Sequence, residues 1–363
     1  MAPVRLGLVG CGRIVQLVHL KLLTRLPGAE LVALAEPDER RRSQAARLAP
    51  GARAVAGYEE VVAWTEVDAV VICLPNALHA RVAAAALQAG KHVYLEKPIA
   101  THCADAERVV SLWRGSGLVG MMGFNYRFNA LYQAAREAIR SGRIGTPVSA
   151  RSVFSSAARA LPQWQQERKS GGGVLLNLGS HHFDLVHFLF ASPVREVSAQ
   201  LRSQRSRDDS AAVQLRLADD TLVQSFFSMN TVQEDRFEVY GDAGKLVIDR
   251  YRGGATVEIS AGESAGGRLE RLAPALRWLA QGPSMLRRSL APAGEPSYRA
   301  ALQHFINAVR AGRPASPDLT DGYRSLMLVE AAEESAATGR TVALPEPAGA
   351  GGADRPRREA EPG

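Results

Sequence analysis

The chain has little cysteine and no long apolar run. Three cysteines, Cys11, Cys73 and Cys103, occur in 363 residues. None forms a CxxC pair, so neither a zinc ribbon nor a disulfide framework is expected, and the odd count suits a reducing, cytoplasmic setting. No stretch approaches the roughly 18 uninterrupted apolar residues of a spanning helix. The opening MAPVRLGLVG lacks a charged region followed by an apolar run and a cleavage site, so no secretory leader is expected. No HExxH occurs. The basic residues are spread along the chain and not interleaved with aromatics, which argues against nucleic acid as a partner.

What is present suits a soluble globular enzyme: 46% hydrophobic and 22% charged residues. At roughly 100–200 residues per domain, two domains are expected. The net charge of +7 favours anionic small molecules such as acidic sugars or phosphates.

Apolar runs alternate with helical periodicity in the first third. Residues 4–9, 30–36, 54–58, 68–76, 91–98 and 118–124 read as strands. Residues 14–26, 39–49, 81–90 and 104–114 read as helices between them. That alternation predicts a doubly wound parallel sheet over 1–124. From 125 to 345 strand-like runs follow one another (PVSARSVF, REVSAQLRS, AAVQLRLADDT, LVQSFFS, DRFEVYGD, GKLVIDR). They predict an α+β domain with a large, open-faced, mostly antiparallel sheet. Two helical runs, 297–312 and 322–339, close it. Residues 346–363 read as a disordered tail. The arginine-rich segment 268–290, broken by Pro274, Gly282 and Pro283, reads as an insertion at a subunit edge or over the substrate mouth.

GLVGCGRIV follows the first strand and opens a helix. Gly10 allows a tight turn, and Gly12 lets a pyrophosphate reach main-chain N–H groups. The third fingerprint position is Val15, where a smaller residue is usual, so helix and strand should sit further apart. Glu36, at the end of the second strand, is placed to accept from ribose hydroxyls and to repel a 2′-phosphate, which favours NAD over NADP. Arg40, Arg41 and Arg42 keep NADP in play. Pro75, Asn76 and His79 follow the fourth strand, and Glu96, Lys97 and Pro98 the fifth. Both clusters should face the cofactor.

In order and spacing, GLVGCGRI, VDAVVICLPNALHA, EKPIAT, GFNYRFN and GGGVLLNLGSHHFDL resemble the Gfo/Idh/MocA family of NAD(P)-dependent oxidoreductases over residues 4 to 345. The resemblance implies a cofactor site at Gly10, Gly12, Arg13, Ile14, Glu36, Leu74, Pro75, Asn76, His79, Glu96, Lys97 and Asn125. It implies hydride transfer between nicotinamide and a secondary alcohol of a sugar, cyclitol or nucleotide-linked sugar. It makes His181 the base and Lys97, often before a cis proline in the family, the polarising group. Tyr126, Arg127, Trp164 and Asn177 join them at the substrate, and a homo-oligomer, dimer or tetramer, is expected. Two alternatives stay open: NAD-assisted glycoside cleavage and a non-catalytic cofactor-binding regulator.

Two departures stand out. Many members have Asp at the position of Asn177, and Asn can orient a ring or a hydroxyl but carries no charge. Members often have Arg after the tryptophan; here it is Gln165, with Arg168 as a substitute. His181, Asp184 and His187 share a helix face and could suggest a metal. The chemistry needs none, and none is expected; His182 and His187 read as helix surface or core.

Overall fold

The computed structural model describes residues 2–252, 254–259 and 295–345. The basic segment 268–290 and the tail from 346 lie outside the described residues. Six short strands form the first sheet: β1 (Val4–Val9), β2 (Ala29–Ala35), β3 (Arg53–Val55), β4 (Ala69–Ile72), β5 (His92–Leu95) and β6 (Gly120–Met122). All pairs are parallel, in the order β3-β2-β1-β4-β5-β6. β4 is buried at every residue, as a strand covered on both faces must be. The strand order reverses between β1 and β4, which opens a crevice at their carboxyl ends.

The helices between these strands are α1 (Leu20–Leu23), α2 (Glu39–Leu48), α3 (Tyr58–Ala63), α4 (His79–Gln88) and α5 (Cys103–Trp113). The helix read over 14–26 is shorter than expected. It begins as a wide π turn, Val15–His19, before the four residues of α1. Val15 is fully buried there, where the fingerprint usually has a smaller residue.

Among the described residues the second sheet holds eight strands: β7 (Pro147–Ser155), β8 (Val194–Arg202), β9 (Ser210–Leu217), β10 (Leu222–Ser228), β11 (Glu234–Gly241), β12 (Gly244–Asp249), β13 (Gly254–Ile259) and β14 (Val342–Ala343). Their order is β13-β12-β11-β7-β10-β9-β8-β14, antiparallel except for the β7–β10 pair. Burial alternates strictly along β9, the signature of a sheet with one packed and one open face. On β10 the open face carries Leu222 and Phe226, 54% and 43% exposed.

The packed face meets α7 (Ser180–Phe190), with Phe183 edge-on to Phe227 at 5.6 Å. α6 (Ala130–Arg140), α8 (Ser297–Ala311) and α9 (Leu319–Thr338) complete the described helices. The sequence reading missed α3, α6, β13 and the two-residue β14.

Its boundary at 124 divides the strands but not the core. α8 returns to the first sheet, where Leu302, Phe305 and Ile306 pack with Leu6, Leu8 and Tyr94. α9 is tied to both halves. Glu330 accepts from the Cys103 N–H at 2.9 Å, and Ser325 Oγ donates to Ser180 O at 3.0 Å.

Candidate active site

The glycine loop rides directly on the end of β4. Gly10 has φ +92°, and a Cβ there would sit 2.3 Å from the Cys73 carbonyl oxygen. Gly12 differs, since a Cβ on it would meet nothing within 4 Å. Internal packing therefore does not require glycine at 12. Its bare main chain faces open crevice, as a pyrophosphate cradle needs. Arg13 is exposed and Ile14 half-buried beside it.

Glu36 is buried at the end of β2 and fully engaged. One oxygen accepts from the Cys11 N–H at 2.7 Å; the other takes Arg41 Nη2 at 2.8 Å and the Asp38 N–H at 3.1 Å. Arg42 is turned away onto the Glu36 and Pro37 carbonyls, at 2.8 and 3.1 Å. Arg41 is thus the guanidinium held beside the position a ribose would occupy, masked by its carboxylate. Glu36→Ala is expected to raise KM for NAD about tenfold, a loss of roughly 1.4 kcal/mol. KM for NADP should rise less, because the substitution frees Arg41 for a 2′-phosphate. The ratio of the two KM values checks this.

After β4, Leu74 and Pro75 lead into Asn76, whose Nδ2 donates to the Gly171 carbonyl at 2.8 Å. This bond ties the cofactor loop to the triple-glycine motif. Gly171 has φ +97°, and a Cβ there would lie 2.4 Å from Asn76 Cβ. Gly171→Ala should cost about 2 kcal/mol from backbone strain and the clash together. A lowered melting temperature and weaker NAD binding would register it.

His79 braces the same region. Its ring nitrogens lie 2.6 Å from Pro98 O and 2.9 Å from Leu74 O. The carbonyls favour a protonated ring, but burial outweighs them and lowers its pKa. Both ring nitrogens face main-chain oxygens, so any effect of His79 on the cofactor runs through loop shape.

β5 delivers Glu96 and Lys97. Glu96 Oε1 is 2.8 Å from His19 Nε2 in a buried pair. The Lys97–Pro98 peptide is cis. Lys97 Nζ donates to the main-chain oxygen of Asn177 at 2.8 Å. Burial pushes the Lys97 ammonium down to about 8, with Glu96 opposing and Arg159 adding to the fall.

Asn177 lies in a π turn, Leu175–Gly179, that runs straight into α7. Such wide turns recur at functional sites. Its Nδ2 points to Met229 Sδ at 3.2 Å and not to a histidine.

His181, at the start of α7, stacks on Tyr126 with centroids 4.5 Å apart. Its Nδ1 is buried without a partner. Burial, then the charges of Lys97, Arg250 and His182, hold its pKa well below the ordinary histidine value. Arg250 lies 4.4 Å over the same Tyr126 ring. It is anchored by Asp235 at 2.7 Å and Glu295 at 3.1 Å. The histidine and a fixed cation thus share one aromatic ring, and the cation's charge acts on the histidine.

Some expected contacts belong elsewhere. Arg127 is no free substrate ligand: its guanidinium is paired with Asp184 and Asp321, with Nε 2.9 Å from Asp184 Oδ2. Burial raises Asp184 to about 6 even against that pairing. Arg168 is bound to Glu333 and to Thr101 O at 2.9 Å, so it does not replace the missing arginine after Trp164. Trp164 is half-buried in a short turn, Gln163–Gln165. His182 is core, 3.3 Å from Asp235, and burial lowers His187 to about 4.

Asn125 donates to Ser297 Oγ at 2.8 Å, and its own oxygen is buried without a partner. Among the described residues no group of three or more His, Cys, Asp or Glu is arranged to hold a metal. No described helix is long and apolar enough to cross a membrane. His19, Met229 and Arg250 escaped the sequence reading, since each reaches the site from a distant segment.

A dinucleotide crevice, an open-faced second sheet, and a lysine and histidine brought to the seam between them define a nicotinamide-dependent oxidoreductase. Residues 4–124 match the oxidoreductase family with an NAD-binding Rossmann fold, and residues 132–247 match the GFO/IDH/MocA C-terminal domain. The chain belongs to the Gfo/Idh/MocA family.

It is 28% identical to myo-inositol 2-dehydrogenase of Thermotoga maritima, over 94% of this chain and 99% of that one. It is 32% identical to dTDP-3,4-didehydro-2,6-dideoxy-α-D-glucose 3-reductase of Streptomyces violaceoruber, over 68% of this chain and 72% of that one. Its fold is similar to that of the WlbA dehydrogenase of Bordetella pertussis, solved with NADH and UDP-GlcNAcA. There the TM-score is 0.82 at 24% identity, covering 95% of this chain and 98% of that one.

Proposed function

We propose that the chain interconverts a secondary alcohol and a ketone on a sugar, cyclitol or nucleotide-linked sugar, using NAD in preference to NADP. The observation that carries this is the convergence of Lys97, Asn177 and His181 at the carboxyl end of β5. The names of the relatives support the substrate class.

Gly12 and Glu36 would hold NAD, which when bound would supply the hydride acceptor. Lys97 has one proton committed to Asn177 O and others free to donate to the substrate oxygen. That donation stabilises negative charge as it builds. His181, kept neutral, accepts the hydroxyl proton through Nε2, since its Nδ1 is sealed inside the protein. Asn177 holds Lys97 through its main-chain oxygen, and its side-chain amide, turned with Nδ2 toward Met229 Sδ, orients a neighbouring hydroxyl through its oxygen. The exposed Leu222 and Phe226 support assembly of two or more copies through the open sheet face.

A panel of polyols, cyclitols and nucleotide sugars with NAD and NADP, read by absorbance of the reduced cofactor, tests the reading. Turnover of at least one is expected. Silence across the panel, with NADH binding intact, would favour a cofactor-binding regulator instead.

A further inference from the structure

Beside the reacting groups lies a cleft of about 520 Å³, lined in part by Arg159, Leu161, Gln166, Arg205, Met229 and Asn230. Nothing in the cofactor or proton chemistry uses it. Its size suits a small ligand, and none of its lining residues is acidic. Among the described residues, the guanidiniums of Arg159 and Arg205 make no ion pair, while most other arginines near the site are paired.

The turn carrying Arg205 is fixed from below. Buried Asp209 accepts from the N–H groups of Gln204, Arg205 and Ser206 at 3.1, 2.6 and 2.9 Å. Arg205 is therefore held in place at the mouth without spending its side chain.

The cleft shares a wall with the reacting centre. Met229 lines it and receives the Asn177 amide at 3.2 Å, and Asn177 in turn receives Lys97. A second link is electrostatic: burial and, to a lesser extent, Arg159 lower the Lys97 ammonium, and burial and then Arg13 of the glycine loop lower Arg159. Arg159 thus lies within electrostatic reach of both the cofactor crevice and the proton-transfer groups. Two uncompensated guanidiniums facing a polar cleft are suited to bidentate recognition of phosphate or carboxylate.

We propose that this cleft is a subsite for an anionic group carried by the sugar, held between Arg159 and Arg205 while the reacting carbon lies at Lys97 and His181. This rests on the sugar-oxidoreductase reading. The anion is a phosphate or a carboxylate, and the probes below separate the two sources.

The test uses the full chain saturated with NADH, so that the cofactor crevice is blocked. Binding of UDP, glucose 1-phosphate, glucuronate and glucose is measured by calorimetry, on the wild type and on Arg159→Ala and Arg205→Ala. Melting temperature and circular dichroism of each variant serve as the control for folding, and NADH is kept saturating throughout. At least one anionic probe should bind more than tenfold tighter than glucose. Each substitution should weaken it about tenfold, and added salt should weaken it further. Tighter binding of UDP and glucose 1-phosphate assigns a phosphate; tighter binding of glucuronate assigns a carboxylate.

If no anion binds better than glucose, or if binding is indifferent to both substitutions, the subsite does not exist. Arginine-dependent binding of an anion with no turnover of any sugar would retain the subsite and remove the dehydrogenase reading. Turnover of neutral polyols alone, with no anion bound, would do the reverse.

Discussion

Lys97→Met is expected to lower kcat by about a thousandfold while leaving NADH affinity close to wild type. Methionine keeps the length and apolar bulk of the lysine stem and removes only the charged tip. Two interactions go with that tip. One is the 2.8 Å bond to Asn177 O, which shapes the π turn in front of His181. The other is donation to the substrate oxygen, strongest when that oxygen carries the most charge. An interaction confined to the transition state reduces kcat and kcat/KM together. Steady-state kinetics on any substrate found in the panel, with NADH titrated separately, provides the check. A fall of less than tenfold in kcat would remove Lys97 from the chemistry.

The second large effect concerns pH. His181 acts as a base only when neutral. Burial, Lys97, Arg250 and His182 all press its pKa down. Asp235 pairs with Arg250 and His182, and Glu96 lies next to Lys97 in the chain, so the positive surroundings are only partly offset. The proton-accepting form should persist well below the usual histidine range, and the oxidation rate should stay level as pH falls through 6.5, the ordinary histidine value. On the alkaline side Lys97, pushed to about 8, loses its proton, so the rate should decline as pH rises past that point.

His181→Ala should reduce kcat by about two to three orders of magnitude. Lys97→Met should abolish the alkaline decline in its residual activity. It should also move the acid limb to higher pH, because a depressing charge beside His181 is gone. An unmoved acid limb would contradict the assignment of His181 as the titrating base.

The parts of the fold and of the candidate site that were legible in the sequence depend on short-range chemistry. Gly10, Gly12 and Glu36 belong to one strand–turn–helix–strand unit, and Lys97 follows directly from β5. Periodicity marked all six parallel strands because each is short, apolar and bounded by turn residues.

What could not be read depends on partners remote in the chain. Arg127 looks like a substrate contact beside Tyr126; its carboxylates, Asp184 and Asp321, lie 57 and 194 residues on. Met229 meets Asn177 across 52 residues. Arg159 sits in a loop with no local pattern. The π turns are invisible to a 3.6-residue period, and α8 has an ordinary amphipathic face that says nothing of which sheet it covers.

The return of α8 has a consequence for how this protein is made. The wall of the first sheet that receives Leu302, Phe305 and Ile306 is built some three hundred residues before its cover. During synthesis the nucleotide-binding half stands with Leu6, Leu8 and Leu20 uncovered until nearly all of the second half has emerged. Its completion is therefore late, and because this cover is shared the halves are expected to melt in one transition, which calorimetry would show. A fragment ending at residue 124 would expose that apolar wall and is expected to aggregate, so the glycine loop and Glu36, although they come from the beginning of the chain, depend on its end for a stable setting.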